Sequence, residues 1–396
     1  MAEQFDIVVS GGGIAGMAAA AGFATLGLTV ACIDPAPSVT DEAAQGADLR
    51  STALLRPSVE LLRSIGLWPR LAPHAAALQV MRIIEAEGAE ARLVRDFDAS
   101  DLSSEPFGWN LPNWLIRREM VAHLAGLAGV SFRPGLATTS VFTREGSVQV
   151  ALSDGARLEA RLLVAADGRE SPVRRALGIG LRKLRYGQKA LAFSVTHPVP
   201  HQNVSTEIHR SGGPFTLVPL PDREGLPSSA IVWMERGPEA ERLAALPVPD
   251  FEAALLDRSC GILGPLRLVT GRALWPMASQ IAHRFTAERT ALIAEAAHVV
   301  PPIGAQGLNM SLADLACLLE LARRDPAGIG TAAMLAAYQR QRWPEVAARV
   351  AGIDALNRAS MFGAKPMREA RAAALAAMHA LGPIRRGLMQ AGLGAR

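Results

Sequence analysis

The chain has 396 residues, with 41 basic and 37 acidic side chains for a net charge of +4, and it is 49% hydrophobic but only 5% aromatic. That length leaves room for two or three domains with ordinary cores, and the balanced charge excludes a disordered chain and a polybasic nucleic-acid binder. No apolar run reaches the roughly 20 residues of a spanning helix, and the first residues carry acids where a secretory leader has basic residues, so a cytoplasmic protein is expected.

Residues 5–9 form a short apolar, β-branched run that meets a glycine cluster. An Ala-rich stretch at helical spacing follows, and a second short run, 28–33, ends at Asp34. Strand, turn, helix and strand within about 30 residues make a βαβ unit, which implies a parallel sheet buried on both faces. Residues 58–67 read as an amphipathic helix with Leu61, Leu62 and Ile65 on one side, 78–98 as short alternating strands, and 120–127 as a helix. Strands resume at 141–152, Ser153-Asp154-Gly155 supplies a turn, and 158–165 is a continuous apolar run ending at Asp167-Gly168. The β-rich runs 189–195, 204–208, 215–220 and 230–234 are separated by turn residues and predict an antiparallel sheet inserted into an α/β domain. After a short strand at 291–293, the chain from 308 onward is mostly helical.

The three cysteines, Cys32, Cys260 and Cys317, lie among apolar neighbours without CxxC spacing and are read as small core residues. No HExxH or GxSxG motif and no Cys–His arrangement of recognisable spacing is present, so neither a metal site nor a side-chain nucleophile is expected.

Gly11-Gly12-Gly13-Ile14-Ala15-Gly16 is a GxGxxG that follows a strand and opens a helix. The first glycine allows the tight turn, the second lets backbone approach a pyrophosphate, and the third lets helix and strand pack closely. Asp34, at the end of the next strand, is placed to accept hydrogen bonds from ribose hydroxyls. These features point to a dinucleotide without separating NAD from FAD.

Two later segments separate them. One is Leu163-Val164-Ala165-Ala166-Asp167-Gly168, and the other runs from Ala294-Glu295-Ala296-Ala297-His298 into Pro301-Pro302-Ile303-Gly304-Ala305-Gln306-Gly307-Leu308-Asn309. With the glycine hexapeptide they resemble, in order, the three motifs of the flavoprotein aromatic hydroxylases of the p-hydroxybenzoate hydroxylase type. The resemblance implies that Gly11, Gly13, Ile14, Ala15 and Gly16 hold the FAD pyrophosphate and that Asp167 supports FAD in a motif also linked to nicotinamide binding. Glu295, Ala305, Gly307, Leu308 and Asn309 would then reach the ribityl chain and flavin ring. Amides opening the helix at 307–309 would stabilise negative charge on reduced flavin. Arg50, in Asp48-Leu49-Arg50-Ser51-Thr52-Ala53-Leu54, and Arg117, in Ile116-Arg117-Arg118-Glu119-Met120, resemble the family's FAD-approaching arginines. A structural salt bridge is the alternative for each, and Arg118 is an equal candidate to Arg117.

One departure stands out: the family's Gly-Asp pair is Ala294-Glu295 here, which keeps the carboxylate and lengthens it by one methylene. His298 is read as packing behind the flavin loop rather than as an acid or base.

The segments Arg185-Tyr186-Gly187-Gln188, Gly213-Pro214-Phe215-Thr216, Tyr338-Gln339-Arg340-Gln341-Arg342 and Asp354-Ala355-Leu356-Asn357 resemble the ubiquinone-biosynthesis hydroxylases. The resemblance implies ring hydroxylation of a polyprenyl phenol by a flavin C4a-hydroperoxide, with O2 as co-substrate and no catalytic side chain. NAD(P)H is the expected donor, and a protein donor is the alternative. Tyr186 and Phe215 on the sheet face and Pro302 beside the flavin are the expected substrate pocket, with core packing as the other reading of the two aromatics.

The expected fold class is α/β, a Rossmann-like FAD-binding domain (1–75, 105–182 and 275–330) with an inserted antiparallel-sheet substrate domain (76–104 and 183–274) and a helical C-terminal region (331–396). Residues 340–396 hold ten basic and three acidic residues, a net +7 that leaves −3 on the remainder. That segment is expected to touch the inner face of the cytoplasmic membrane or the proteins of a ubiquinone-biosynthesis complex, or else to present a solvated basic face. Two other classes stay open: an FAD reductase or oxidase, and a non-catalytic scaffold with an FAD fold.

Overall fold

The structure, a computed structural model, describes residues 2–210, 212–361, 379 and 382–393. Its first sheet has eight strands. Across its centre Thr290–Leu292, Arg157–Ala165, Glu3–Ser10, Val30–Asp34 and Val130–Pro134 lie side by side in that order, all parallel. Ile7 faces Leu162 on one neighbour and Val30 on the other, and all three are fully buried. Burial on both faces explains why these strands read as unbroken apolar runs. The Ala-rich helix Ile14–Ala24 packs on this sheet and on the helix Gln306–Arg324. Its small side chains permit close approach, and a Cβ at Gly22 would already meet the Leu319 side chain at 2.7 Å.

The second sheet has nine strands. Its main path is His298–Val299, Ala273–Ala282, Leu181–Thr196, Leu226–Arg236, Pro214–Arg223, Val204–His209, Val80–Glu87 and Glu90–Asp98. Neighbours are antiparallel except Val204–His209 with Val80–Glu87, which is parallel. The outer face is covered by Gly237–Ala245 and Val248–Arg258, and between them lies a separate core of Leu191, Phe193, Phe215, Trp233, Phe251 and other apolar side chains. Ala190, Met234 and Met277 belong instead to the large core shared with the first sheet, as the two-residue strand period requires.

The inserted sheet extends past its expected boundaries. Strand Leu181–Thr196 begins before 183, and Ala273–Ala282 runs beyond 275, with His298–Val299 outside it at the sheet's edge. Ala76–Leu78 leaves it for a three-stranded sheet with Ser51–Leu55 and Gly108–Pro112. Cys32 is a buried core residue, whereas Cys260 and Cys317 are only half-buried.

The tail helix Ala332–Met361 is docked where the two sheets meet, on Ala273–Ala282 of the second and residues 286–292 of the first. Tyr338 donates its hydroxyl to the Leu292 carbonyl at 2.9 Å, Gln339 accepts from the Phe285 amide at 2.7 Å, and the Trp343 indole donates to the Ala282 carbonyl at 3.0 Å. The helix Gly382–Leu393 bridges two places. Arg385 pairs with Asp101 at 3.1 Å, and Gln306 donates to the Gly392 carbonyl at 3.0 Å. Among the described residues, no helix is long and apolar enough to cross a membrane.

Candidate cofactor site

Four motif residues stand at one edge of the parallel sheet, each just past the carboxyl end of a strand. Glu295 follows Thr290–Leu292, Asp167 follows Arg157–Ala165, Gly11 follows Glu3–Ser10, and Asp34 ends Val30–Asp34. The strands are consecutive neighbours, so this edge spans three strand spacings, about 14 Å, suited to an extended dinucleotide.

The glycines divide by what surrounds them. Gly11 has φ +110°, and an added Cβ would lie 2.2 Å from the Ala166 carbonyl oxygen, while a Cβ at Gly16 would lie 1.8 Å from the Gly11 carbonyl oxygen. Both are demanded by the crossover. At Gly13, the cap of the helix that continues through Ile14 and Ala15, no atom lies within 4 Å of an added Cβ. The same space stands over Gly307. Gly13 and Gly307, like Gly168 of the intervening motif, leave the room that close backbone approach to a ligand requires.

Asp34 is aimed by backbone: Oδ2 accepts from the Gly12 amide at 2.6 Å and Oδ1 from Ala36 at 2.8 Å. Asp167 accepts from the Val173 amide at 3.0 Å through Oδ2, while its Oδ1 is buried without a partner. Burial pushes its pKa above the usual carboxylate range, against a hydrogen bond from Ser171. An orphaned carboxylate oxygen beside the glycine crossover fits a site completed by a ligand.

Arg50 forms a two-bond fork with Asp48, Nε to Oδ1 at 2.7 Å and Nη2 to Oδ2 at 2.6 Å, and lies over the Trp275 ring at 5.6 Å. The fork raises the Arg50 pKa despite burial, and the Glu295 charge adds to it, so Glu295 acts within the same cluster. Asn113 accepts from the Thr52 hydroxyl and donates to Asp48 at 3.0 Å, tying the Arg50 loop to the helix Asn113–Ala125. Arg117 lies one turn further along that helix, with no side-chain hydrogen bond or ion pair among the described residues. Arg118 is engaged by Glu119 at 2.9 Å and by the Trp114 ring. Of the two, Arg117 is the one left available for an anion.

Glu295 reaches Arg169 of the Asp167-Gly168-Arg169 segment at 3.3 and 3.4 Å. The preceding residue, Ala294, sits at φ +55°, a left-handed conformation that costs an alanine about 1 kcal/mol and a glycine almost nothing. Ala305 caps the helix Gln306–Arg324 in the same region, at φ +56°. Asn309 is fully engaged. Its Oδ1 accepts from the Leu55 amide and the Ser58 hydroxyl, and its Nδ2 donates to the Ala53 and Ala305 carbonyls. Its side chain therefore stitches the motif helix to strand Ser51–Leu55, and the opening amides at 306–308 remain to face a ligand.

The expected substrate pair is split. Phe215 is fully buried, lies opposite Trp233 in register with ring centroids 5.4 Å apart, and is roofed by the Arg258 guanidinium at 5.4 Å. It belongs to the second core, because the strand alternation that places Trp233 and Leu191 there places Phe215 with them. Tyr186 lies on the other side of the sheet, in a three-residue bulge, with its hydroxyl 2.8 Å from Ser279 Oγ. Burial, aided by Asp354 of the tail helix, raises its pKa to about 12. Pro302 is half-buried in the loop before the motif helix. The sheet face turned toward the first sheet carries Ala190, Val232, Met234, Trp275 and Met277.

A cavity of about 460 Å³ opens between Arg169, Gln280 and Val299 and the bulge, and is bordered by Lys183, Arg185 and Lys189. His298 is buried, with Nε2 2.7 Å from Asp314 Oδ2. His197 and His201, four residues apart, bond to Val199, Ser229 and Leu220.

Asp314 is marked by no motif, and Arg342 lies in the Tyr338-to-Arg342 segment without a role of its own assigned from sequence. Asp314 follows Met310 and precedes Leu318 at four-residue spacing, and Arg342 lies between Tyr338 and Val346. A charge on an apolar helical stripe was the available signal.

The FAD binding domain family profile matches residues 4–352. The chain is 33% identical over 392 residues to ubiquinone hydroxylase UbiL of Rhodospirillum rubrum, covering 98% of this chain and 89% of that protein. It is 26% identical over 399 residues to the 3-demethoxyubiquinol 3-hydroxylase of Escherichia coli, covering 99% of each. Among solved structures, p-nitrophenol 4-monooxygenase PnpA from Pseudomonas putida superimposes with a TM-score of 0.79 at 19% identity, covering 100% of both chains.

Proposed function

The chain belongs to the FAD binding domain family, and from that premise we propose that it is an FAD-dependent monooxygenase that hydroxylates the aromatic ring of a polyprenyl phenol in ubiquinone biosynthesis. The observation that carries the cofactor site is the line of Asp34, Gly11, Asp167 and Glu295 along adjacent parallel strand ends, with open space over Gly13 and Gly307. In the net reaction NAD(P)H, a proton, O2 and the ring C–H yield NAD(P)+, water and the ring hydroxyl. FAD, when bound, relays the electrons from the donor to oxygen.

The protein's part is positioning. Asp34 takes the ribose, the helix starting at Ile14 and Arg117 face the pyrophosphate, Glu295 and Arg50 frame the ribityl chain, and the amides at 306–308 face the flavin edge. The apolar face bearing Val232, Trp275 and Met277 excludes water from the ring site. Pro302 and Tyr186 border that site, and Phe215 supports it from behind. The cavity beside the bulge is the proposed approach of an anionic nicotinamide donor: Arg169, Lys183 and Lys189 there pair with Glu295, Glu170 and Glu241, and Arg185 has no ion pair among the described residues. A prenylated substrate suits work at a lipid surface or within a ubiquinone-biosynthesis complex, with the basic residues of 340–396 as the proposed contact.

The test is turnover of purified holoprotein with NAD(P)H, a short-chain prenylated phenol and labelled O2, read by mass spectrometry. One labelled oxygen in the ring product is expected. Consumption of NAD(P)H that yields only hydrogen peroxide with every phenol would identify an oxidase instead. Protein that purifies colourless and fails to take up FAD would be a scaffold.

A further inference from the structure

A fully buried carboxylate lies behind the cofactor edge. Asp314 sits on the inner face of the helix Gln306–Arg324. Its Oδ2 accepts from the Ala294 amide at 3.2 Å and lies 2.7 Å from His298 Nε2. Its Oδ1 accepts from Arg342 Nε at 2.9 Å. Arg342 comes from the tail helix and is itself fixed by the Met310 carbonyl at 3.3 Å and by Glu345 at 2.6 Å.

A charge so buried is tolerated only when it is paired and hydrogen-bonded, and this one is met by three residues from two segments, the 294–298 turn and the tail helix. Two of its partners bracket Glu295. Ala294 precedes it in a strained left-handed conformation, and His298 ends the short helix Ala294–Ala297 on which Glu295 rides. An alanine leaves that conformation unless something holds it. The Ile293 amide is anchored to the Ala165 carbonyl at 2.9 Å and the Ala296 carbonyl to Arg174 at 2.9 Å, and Asp314 holds the strained Ala294 amide between them.

We propose that Asp314 is a positioning residue for the cofactor, aiming Glu295 through the Ala294 amide and the His298 ring, with Arg342 holding the carboxylate in register. Arg342 is then the residue through which the tail helix serves the cofactor edge, since it alone of the tail's docking side chains bonds Asp314. The inference rests on Glu295 as an FAD contact, and the experiment separates the two.

FAD is titrated into apoprotein and followed by flavin fluorescence, with thermal unfolding measured alongside, for Asp314→Asn, Glu295→Ala, the double variant and Tyr338→Phe. One amide oxygen cannot serve Ala294, His298 and Arg342 together, so Asp314→Asn is expected to weaken FAD binding about tenfold, as is Glu295→Ala. The double variant is expected to be no weaker than the poorer single, because both remove one interaction. Tyr338→Phe breaks a neighbouring buried hydrogen bond and is expected to lower the unfolding temperature while FAD affinity stays within about twofold. Losses that multiply to about a hundredfold in the double variant would reduce Asp314 to a stabilising residue. Unchanged affinity in Glu295→Ala would instead overturn the reading of Glu295, and the inference with it. Should Asp314→Asn not fold, Arg342→Lys keeps the charge and loses the planar geometry. It is expected to weaken binding about threefold, an effect that disappears in the Glu295→Ala background.

Discussion

Gly11 and Gly13 lie two residues apart, yet only one of them is required by the fold. A methyl at Gly11 meets the Ala166 backbone and cannot be accommodated without moving the crossover, whereas a methyl at Gly13 meets nothing in the chain. Gly13→Ala is therefore expected to change apoprotein stability by less than about 1 kcal/mol, the scale of a cap substitution, while FAD affinity falls at least tenfold. Gly11→Ala is expected to lose both. Urea unfolding and FAD titration of the two variants check this, and a Gly13→Ala protein with normal FAD affinity would show that the space is not the cofactor's. Asp167 makes a second residue-scale prediction. Burial raises its folded pKa above the unfolded value, so the apoprotein's stability relative to Asp167→Asn is greatest when the carboxyl is protonated. It falls as pH rises through the folded pKa, from about pH 4 upward. A stability difference between the two proteins that stays flat from about pH 4 to pH 7 would contradict this. FAD binding runs the other way, with Asp167→Asn the weaker, since the orphaned Oδ1 is then no longer an anionic acceptor.

At the scale of elements, the sheet's two faces decide which aromatics can touch substrate. Phe215 is locked between Trp233 and the Arg258 guanidinium in the second core, so Phe215→Leu is expected to cost about 1–2 kcal/mol of stability by removing buried ring contacts. It should leave the KM for a prenylated phenol unchanged, and a severalfold rise in KM at normal stability would return Phe215 to the pocket. The sequence could not separate the two aromatics, because pocket and core both favour rings and the strand period gives faces without saying which face meets the cofactor. The parallel strands and the glycine crossover were legible because their signals are local: unbroken apolar runs at 158–165 and 28–33, and a turn that only glycine can make. Asp314 and Arg342 are far apart in sequence, and each interrupts an apolar helical stripe. The interruption marks a buried charge, but nothing local says that the two interruptions meet. The parallel pairing of Val204–His209 with Val80–Glu87 was illegible for the same reason, since more than a hundred residues separate the strands.

For the whole molecule, the +7 of residues 340–396 overstates what the tail offers to an anionic surface. Residues 362–378, 380–381 and 394–396, with Lys365, Arg368, Arg371 and Arg396, lie outside the described residues. Among those described, Arg342 is held by Asp314 and Glu345, Arg349 by Glu345, Arg358 by Asp354 and Arg385 by Asp101. Arg340 and Arg386 are exposed and form no ion pair among the described residues. Each basic side chain near an anionic bilayer contributes about 1 kcal/mol. Reversing both charges, Arg340→Glu with Arg386→Glu, is therefore expected to weaken association with phosphatidylglycerol-containing vesicles by at least about tenfold. Uncharged-headgroup vesicles should bind neither protein appreciably, and added salt should erase the difference between them, because exposed charges are screened within about 10 Å at 0.1 M. Turnover of a water-soluble, short-chain phenol should be unaffected, since neither arginine touches the cofactor edge, whereas turnover of a long-chain substrate presented in vesicles should fall with the binding. If the charge-reversed protein binds vesicles as well as the original, the basic end is a partner surface or a solvated face and the substrate reaches the ring site by another route.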